Sequence, residues 1–249
     1  GVAGPVFEGK AKITNLGWNL DSGKLSFLSK VKKIELVNDF SVLVYGIPFF
    51  KKSQYEIIQG DLKKNCVNQS VAIIGAGTGL GMARGLIKHN NIFVSPSEGG
   101  HREFSPRNVD EWRLVNWLKT YLNLERISIE RIVSGTGLGM IGRWKLTEPE
   151  ALNHPLQETI KEIDCKKSNS VDFPSLVYQQ ANKGDSLMSE ALQLWLSAYG
   201  SASGDLALQE LCSSGLWIAG GTAAKNLDGI RSFTFLNAFR NKGRFQSYL

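Results

Sequence analysis

The sequence predicts an α/β fold with a mainly parallel β-sheet at its core. Short apolar segments alternate along the chain with longer segments that carry apolar residues at helical spacing. Val71–Ile74 and Leu216–Ala219 are typical of buried strands, whereas Val109–Leu122 and Leu187–Tyr199 have the spacing of helices. Because the two patterns alternate, we expect parallel strands that are joined by helices.

The composition is that of an ordinary globular protein. The chain has 249 residues, of which 42% are hydrophobic and 21% charged, which is enough for one large domain or two smaller ones. The net charge of +6 is modest and the lysines are spread out, so we expect no nucleic-acid partner. No apolar run approaches the roughly 20 residues of a membrane helix, so we expect no membrane partner and a cytoplasmic location. The three cysteines, Cys66, Cys165 and Cys212, are too far apart to indicate a zinc site or a disulfide framework.

The N-terminal elements are expected to be short. From Val2 to about Phe27, β-branched stretches broken by glycine and asparagine indicate strands and turns. Ile34–Val37 is a strand candidate that ends at Asn38, and Phe40–Ile47 is predicted to be a helix that Asp39 caps.

One hexapeptide, Gly-Thr-Gly-Leu-Gly-Met, occurs twice, at Gly77–Met82 and at Gly135–Met140. The first copy follows a predicted strand, and we expect a helix to open at Leu80. Glycines let the backbone approach a ligand, and a helix N-terminus directs its N–H groups at an anion, so the pattern alone predicts two phosphate loops. Neither copy is a P-loop, since no Gly-Lys-Ser/Thr follows, and neither fits the dinucleotide fingerprint well. The alternative is that each is only a turn.

The later elements continue the alternation. Ile127–Val133 is predicted to be a short strand that leads into the second copy. The helix at Leu187–Tyr199 is expected to have a partner helix from about Ala202 to Cys212, and the strand Leu216–Ala219 then turns at Gly220-Gly221.

Three polar sites are candidates for chemistry. Asp39 can act as a base at the end of a strand, although it can also be only a helix cap. Glu98 and His101 are separated by two glycines, with a surface loop as the alternative, and Glu130 is otherwise solvated surface. Carboxylates, the amide of Asn38 and an imidazole together are what the vicinal hydroxyls of a sugar require.

The order of these motifs resembles bacterial glucokinase of the group A hexokinase type. The resemblance covers essentially the whole chain, and Glu-Gly-Gly-His is its most discriminating motif. The segments that carry it are Asn38-Asp39-Phe40, Gly75–Gly81, Glu98–His101, Glu130–Gly135, Ile218–Gly221 and Phe239–Phe245.

The resemblance implies an actin-like ATPase (ribonuclease H-like) fold whose two domains close on glucose and Mg-ATP. Residues 1–38 would be the remnant of a small N-terminal α/β domain, and residues 39–249 the large α/β domain. A homodimer is left open, and no residue is assigned as a metal ligand.

The resemblance also implies roles for particular residues. Asp39 would be the base that takes the proton of the 6-hydroxyl. The sugar would be held by Asn38, Asp39, Glu98, His101 and Glu130. The phosphates would contact Gly77, Thr78 and Gly79, and the adenosine Gly220 and Gly221. The copy at Gly135 is then assigned no phosphate.

The chain departs from the family pattern in two respects. The C-terminal strand and helix that complete the family's fold are missing from the sequence. The Asp-x-Gly-Gly-Thr phosphate loop of the family does not occur in the sequence, which opens at Gly1 without methionine. We therefore expect a chain truncated at both ends, with weak or no catalysis.

Three other readings remain. A non-catalytic sugar-binding regulator on the same fold is the main alternative, although the helix-turn-helix that such regulators usually add is not evident. A related sugar kinase with a zinc-binding cysteine motif is disfavoured by the cysteine spacing. A nicotinamide-dependent oxidoreductase would use the glycine loop for a pyrophosphate but leaves Glu98 and His101 unexplained.

Overall fold

The computed structural model describes residues 1–13, 16–61, 68–89, 91–166 and 171–249. The chain divides by its internal contacts into two compact units. Unit 1 comprises Gly1–Ile74, Gly81–Gly99 and Leu206–Ile218, and unit 2 comprises Gly75–Leu80, Gly100–Asp205 and Ala219–Leu249. The domain boundary expected after residue 38 stays a prediction.

A small antiparallel sheet opens unit 1, which confirms the expected strands and turns as far as Asp21, but the expectation is wrong from Ser22 to Phe27, where the chain is helical. Its strands are β1 (Val6–Phe7), β2 (Lys10–Ile13) and β3 (Trp18–Asp21), in that order. Helix α1 (Ser22–Ser29) follows at once, because the Asp21 side chain accepts a hydrogen bond from the Lys24 N–H and caps it.

The larger sheet has the strand order β6-β5-β4-β7. Its strands are β4 (Asn68–Ala76), β5 (Leu80–Lys88), β6 (Asn91–Ser97) and β7 (Leu216–Ala219). The two strands predicted at Val71–Ile74 and Leu216–Ala219 are therefore confirmed. Val71 and Ile74 are almost fully buried, at 1% and 0% exposure.

The expectation of a mainly parallel core is wrong for the pairings that the structure describes. β1 with β2, β2 with β3, and β5 with β6 all pair antiparallel. In the last pair Met82 lies opposite Ser97. An apolar run reports that a strand is buried but carries no information on the direction of its neighbour.

Helices make up most of the rest of the described chain. Short 3₁₀ helices occur at Ile47–Phe49, Lys52–Gln54, Gly99–His101, Ile129–Arg131, Pro149–Ala151 and Gly243–Tyr248. The α-helices after α1 are α2 (Asp39–Gly46), α3 (Val109–Leu122), α4 (Gly135–Lys145), α5 (Leu156–Lys166), α6 (Phe173–Asn182), α7 (Ser186–Glu210), α8 (Gly221–Lys225), α9 (Leu227–Arg231) and α10 (Phe233–Arg240). The helices predicted at Phe40–Ile47 and Val109–Leu122 are confirmed.

Helix α7 is longer than predicted. The separate partner helix expected from Ala202 is wrong, because the chain stays helical through Gly200 and Gly204 up to Glu210. A Cβ at Gly200 would overlap the carbonyl oxygen of Phe235, and one at Gly204 that of Phe239. The two glycines therefore let the backbone of α10 approach α7 closely, which outweighs their poor helix propensity.

Two strand predictions are wrong. Ile34–Val37 forms no ladder with the described strands, and the β-pairing nearest to it is the isolated bridge between Val2 and Asn38. Ile127–Val133 contains the 3₁₀ helix Ile129–Arg131, and its pairing with other described residues is limited to the bridge of Ser128 with Glu103. Ile127, Ile132 and Val133 of the second segment are buried in unit 2 without a ladder, with Ile132 at 0% exposure.

Candidate functional site

Asn38 is the residue that begins helix α2. Its Oδ1 accepts hydrogen bonds from the N–H groups of Phe40 (2.9 Å) and Ser41 (3.2 Å), and its Nδ2 donates to the carbonyl of Gly4 (3.3 Å). The prediction that Asp39 caps the helix is therefore wrong, because Asn38 is the cap and Asp39 already belongs to the first helical turn. The Asn38 amide carries a second N–H that can donate to a ligand.

Asp39 presents an exposed carboxylate at the start of α2. Its backbone N–H donates to the carbonyl of Val2 at 3.0 Å, and its Oδ1 accepts from the Phe40 N–H at 3.0 Å. The first turn of a helix favours a negative charge. The side chain is thus held at one oxygen and open to solvent, as a base for an incoming hydroxyl has to be.

Two glycines of β5 leave the space in which α2 packs against the strand. A Cβ at Gly81 would overlap the ring of Phe40, and a Cβ at Gly85 would lie 2.6 Å from Cγ1 of Val44. Gly81 and Gly85 lie on the same face of the strand, because side chains alternate with a period of two. The missing side chains therefore let α2 settle on β5, and this places Asp39.

The Glu-Gly-Gly-His motif follows β6 directly. The Gly99 N–H donates to Oγ of Ser97 at 3.1 Å, which begins the 3₁₀ helix Gly99–His101. A Cβ at Gly100 would overlap the carbonyl oxygen of Leu80, so only glycine fits there. Both Glu98, in unit 1, and His101, in unit 2, have exposed side chains.

The structure brings His101 and Glu130 together within unit 2. Nδ1 of His101 lies 3.2 Å from Oε1 of Glu130, and the His101 carbonyl accepts a hydrogen bond from Arg126 at 3.1 Å. A Cβ at Gly79 would lie 2.9 Å from Oε2 of Glu130. The Glu130 carboxylate is therefore adjacent both to the imidazole and to the first glycine loop.

The two copies of the hexapeptide adopt different structures. The helix expected at Leu80 is wrong, because the first copy is the turn between β4 and β5, whereas the second copy begins α4. The first copy follows β4, which is hydrogen-bonded to β5, so the chain has to turn between the two strands. The second copy follows Ser134, which caps α4 by accepting a hydrogen bond from the Gly137 N–H at 2.9 Å. The flanking residues thus decide the structure of an identical sequence.

The two copies also bond to each other. The Gly135 N–H donates to the Gly77 carbonyl at 2.7 Å, and Oγ1 of Thr136 donates to the Thr78 carbonyl at 2.9 Å. Each peptide group is planar and trans, so its N–H points away from its C=O. The N–H groups of Thr78 and Gly79 therefore point away from α4. The first loop can therefore bind an anion there, while the N–H groups of Gly135 and Gly137 in α4 already donate to Gly77 and Ser134.

Gly220 lies beside the first loop, in unit 2. Its φ is 91°, and a Cβ there would lie 2.7 Å from the carbonyl oxygen of Ala76. Gly221 begins α8, and nothing lies within 4 Å of the position of its Cβ. The structure therefore brings Gly220 together with the loop that starts at Gly77.

Sequence reasoning missed several supporting residues. Thr136 could have been found from the repeat itself. Tyr199 and Trp195 gave no signal, because they read as part of an ordinary apolar helix. The Tyr199 hydroxyl accepts from the Ala76 N–H at 3.2 Å, and Nε1 of Trp195 donates to the Ser134 carbonyl at 2.9 Å.

Other candidate features are weak. Over the described residues there is no group of three or more His, Cys, Asp or Glu side chains that could hold a metal ion. No helix in this part of the chain has the length and apolar character to cross a membrane. Cys165 is exposed and Cys212 is half-buried, while Cys66 lies outside the described residues.

Comparison with known proteins identifies the family of this chain. The profile of the glucokinase family matches residues 1–249. The chain belongs to the glucokinase family, whose members are ATP-dependent hexose kinases. The glucokinase of Nostoc punctiforme is 38% identical over 253 residues, which cover all of this chain and 74% of that relative.

Solved structures of glucokinases share the fold. The glucokinase of an Antarctic psychrotroph superimposes with a TM-score of 0.77 at 26% identity, covering 99% of this chain and 71% of that one. A ROK family glucokinase from Streptomyces griseus, solved with glucose and AMPPNP, gives a TM-score of 0.56 at 20% identity, covering 96% of this chain and 69% of that one. The actin-like ATPase fold inferred from the resemblance is thus confirmed.

Proposed function

We propose that the chain transfers the γ-phosphoryl group of ATP to the 6-hydroxyl of D-glucose. The observation that carries the proposal is the group formed by the Gly77–Gly79 loop, Glu130 and His101. It combines backbone N–H groups that can bind an anion with a carboxylate and an imidazole suited to sugar hydroxyls. Membership of the glucokinase family supports it.

Glucose would be held by polar side chains that can accept and donate hydrogen bonds. These are the Asn38 amide, the carboxylates of Asp39, Glu98 and Glu130, and the imidazole of His101. A sugar hydroxyl donates one hydrogen bond and accepts others, so the carboxylates would accept from the sugar and the Asn38 amide would donate to it. The Nδ1 N–H of His101 faces the Glu130 carboxylate, so Nε2 would be the ring atom that accepts from the sugar. The contact of His101 with Glu130 orients both side chains before the sugar arrives.

Asp39 would be the general base. Its exposed carboxylate would accept the proton of the 6-hydroxyl as the oxygen bonds to the γ-phosphorus and the bond from that phosphorus to the β–γ bridging oxygen breaks. ADP leaves with the electron pair of that bond. The rigid start of α2, fixed by the Asn38 cap and by Gly81, keeps the carboxylate in place.

The phosphates of ATP would bind the N–H groups of Thr78 and Gly79. The carbonyls of Gly77, Thr78 and Gly79 all accept hydrogen bonds from within the protein. The first two bond to Gly135 and Thr136, and the Gly79 carbonyl accepts from the Gly77 N–H at 2.9 Å. The loop is thus preorganised, and a fixed donor costs no reorganisation when charge develops. Gly220 and Gly221 would border the adenosine.

Mg²⁺ would accompany ATP. No described cluster of three acidic or histidine ligands is present, and an ion held mainly by phosphate oxygens and waters needs none. When bound, the ion would neutralise the charge of the transferring phosphoryl group.

An Asp39→Asn variant tests the proposal. Amide nitrogen cannot accept the proton, so we expect transfer of ³²P from [γ-³²P]ATP to glucose to fall by roughly 100- to 10,000-fold, with glucose binding retained. Asp110→Asn is the matched control, because Asp110 also lies in the first turn of a helix. Transfer by Asp39→Asn at the rate of the unmodified chain would show that Asp39 is not the base. Glucose binding without any transfer by the unmodified chain would contradict the proposed transfer, and it would agree with the weak or absent catalysis expected of a chain that lacks the Asp-x-Gly-Gly-Thr loop.

A further inference from the structure

Both Gly-Thr-Gly segments are attached to one face of helix α7. Trp195 and Tyr199 are four residues apart, so they lie on the same side of the helix. The Tyr199 hydroxyl receives the Ala76 N–H immediately before the first glycine loop, and Trp195 donates to Ser134 immediately before the second copy. The two copies then bond to each other. The contacts therefore form a closed ring, in which α7 bonds to the residue before the first loop, the first loop bonds to the second copy, and the residue before the second copy bonds back to α7.

The two aromatic side chains are themselves immobilised. Both have 0% exposure, and their rings meet edge to face with centroids 5.3 Å apart. The ring of Phe235 packs on Tyr199 at 5.6 Å, and Gly200 lets the backbone of α10 come close enough for this contact. A hydrogen-bond acceptor held so firmly fixes the position of its donor.

The Tyr199 hydroxyl adds a polar contact without adding a charge. Burial raises the pKa of Tyr199 well above its usual range. The phenol therefore stays neutral under ordinary conditions and does not repel an anion at the adjacent loop.

We propose that Tyr199 is a positioning residue for nucleotide phosphates, acting through the Ala76 N–H on the Gly77–Gly79 loop. The inference rests on the proposed function, which assigns that loop to the phosphates. Tyr199 does not touch the nucleotide. It holds the last residue of β4, while Thr136 holds the loop from the other side by its bond to the Thr78 carbonyl.

Tyr199→Phe tests this inference, because it removes the hydroxyl and keeps the ring. We would titrate the chain by calorimetry with D-glucose and, with glucose present, with the Mg²⁺ complex of AMPPNP. The expected result is a rise of about 3- to 10-fold in the Kd for AMPPNP, as for one lost hydrogen bond, with the Kd for glucose within about twofold.

Tyr121→Phe is the matched control. Its hydroxyl also accepts a hydrogen bond, from Arg143 at 3.3 Å, but on the exposed side of α3. Neither Kd should change in this variant. A purely structural role of Tyr199 would weaken both ligands alike and would overturn the proposal, as would an unchanged Kd for AMPPNP.

Thr136→Val provides a second variant that does not disturb the core, since Thr136 is exposed. It deletes the bond to the Thr78 carbonyl and is expected to weaken AMPPNP selectively, as Tyr199→Phe does. Should Tyr199→Phe fail to fold, the test rests on Thr136→Val. An unchanged Kd for AMPPNP in that variant would overturn the idea that hydrogen bonds from the protein to the Gly77–Gly79 loop set its affinity for phosphates. Glucose binding without AMPPNP binding in the unmodified chain would overturn the assignment of the loop, and this inference with it.

Discussion

The ring of Phe40 occupies the space that a side chain at Gly81 would fill. Phe40 follows Asp39 in the first turn of α2, and Gly81 is the second residue of β5. The position of the proposed base therefore depends on the absence of a single methyl group from the neighbouring strand.

Gly81→Ala is expected to destabilise the chain by about 1–3 kcal/mol, since the added methyl overpacks the Phe40 ring. The measurement is the free energy of unfolding in urea. Gly46→Ala is the control, because Gly46 ends the same helix with φ −75° and a Cβ there would lie 3.4 Å from Phe50. Equal stability of Gly81→Ala and the unmodified chain would mean that α2 is not seated on β5 in this way.

Glu130→Gln is expected to weaken glucose binding by roughly 10- to 100-fold, because it replaces a charged acceptor next to His101 by a neutral amide of the same shape. Calorimetric titration measures the loss. The control is Glu125→Gln, which removes an exposed carboxylate on the loop after α3. Should both variants bind glucose as the unmodified chain does, Glu130 is not a sugar ligand.

The contact of His154 with Asp185 joins two helix starts. Nε2 of His154 lies 2.7 Å from Oδ2 of Asp185, whose Oδ1 accepts from the Met188 N–H at 2.9 Å in α7. Nδ1 of His154 accepts from the Leu156 N–H at 3.2 Å, so the proton of the neutral ring lies on Nε2 and is donated to Asp185.

Asp185→Ala should therefore cost more stability than loss of an ordinary cap. Asp172→Ala is the comparison, since Asp172 only caps α6 by accepting from the Ser175 N–H at 3.2 Å. We expect about 1 kcal/mol for Asp172→Ala and a further 1–3 kcal/mol for Asp185→Ala, because a mostly buried His154 loses its acceptor. Equal losses in thermal or urea unfolding would show that the His154 bond contributes nothing.

The cysteines are expected to differ in reactivity. Burial and, to a smaller extent, repulsion of the thiolate by the nearby Glu210 together raise the pKa of Cys212 to about 12. In a Cys66→Ser background at about pH 8, Cys165 should react quickly with Ellman's reagent and Cys212 only slowly. Loss of the fast phase in an added Cys165→Ser variant checks the assignment, and a fast phase that persists would contradict it.

The same shift predicts how Cys212 affects stability with pH. Its folded pKa lies above the ordinary value of 9.0, so above about pH 9 the unfolded chain loses the proton first. The stabilisation is thus complete below pH 9 and declines as the pH rises toward 12. A Cys212→Ala variant should show a flatter decline of its unfolding free energy across that range, and an identical decline would argue against a buried thiol.

The spacing of apolar residues predicted those helices and strands that bury a continuous apolar face. Val109–Leu122 and the start of α7 were predictable because their apolar spacing is helical over many residues. The glycine repeat was also predictable as a site, but not its structure, since identical sequences form a hairpin turn at Gly77 and a helix start at Gly135.

The rest depends on contacts that are distant in sequence. The sequence places Gly200 between two helices and Gly204 inside the second of them, yet both glycines lie in one helix and are needed for the approach of α10. Tyr199 reads as one more apolar residue, and only the fold places its hydroxyl at Ala76. Of the candidate site, the motifs indicated the chemical groups, while the bonds that orient them required the structure.

The most direct measurement is a calorimetric titration of the chain with D-glucose, with mannose and galactose as comparisons. The account predicts saturable binding that is selective for glucose, through Asn38, Asp39, Glu98, His101 and Glu130, and that Glu130→Gln weakens. A folded chain that binds none of the three sugars, or binds them without preference, would contradict the assignment of these residues to a glucose site.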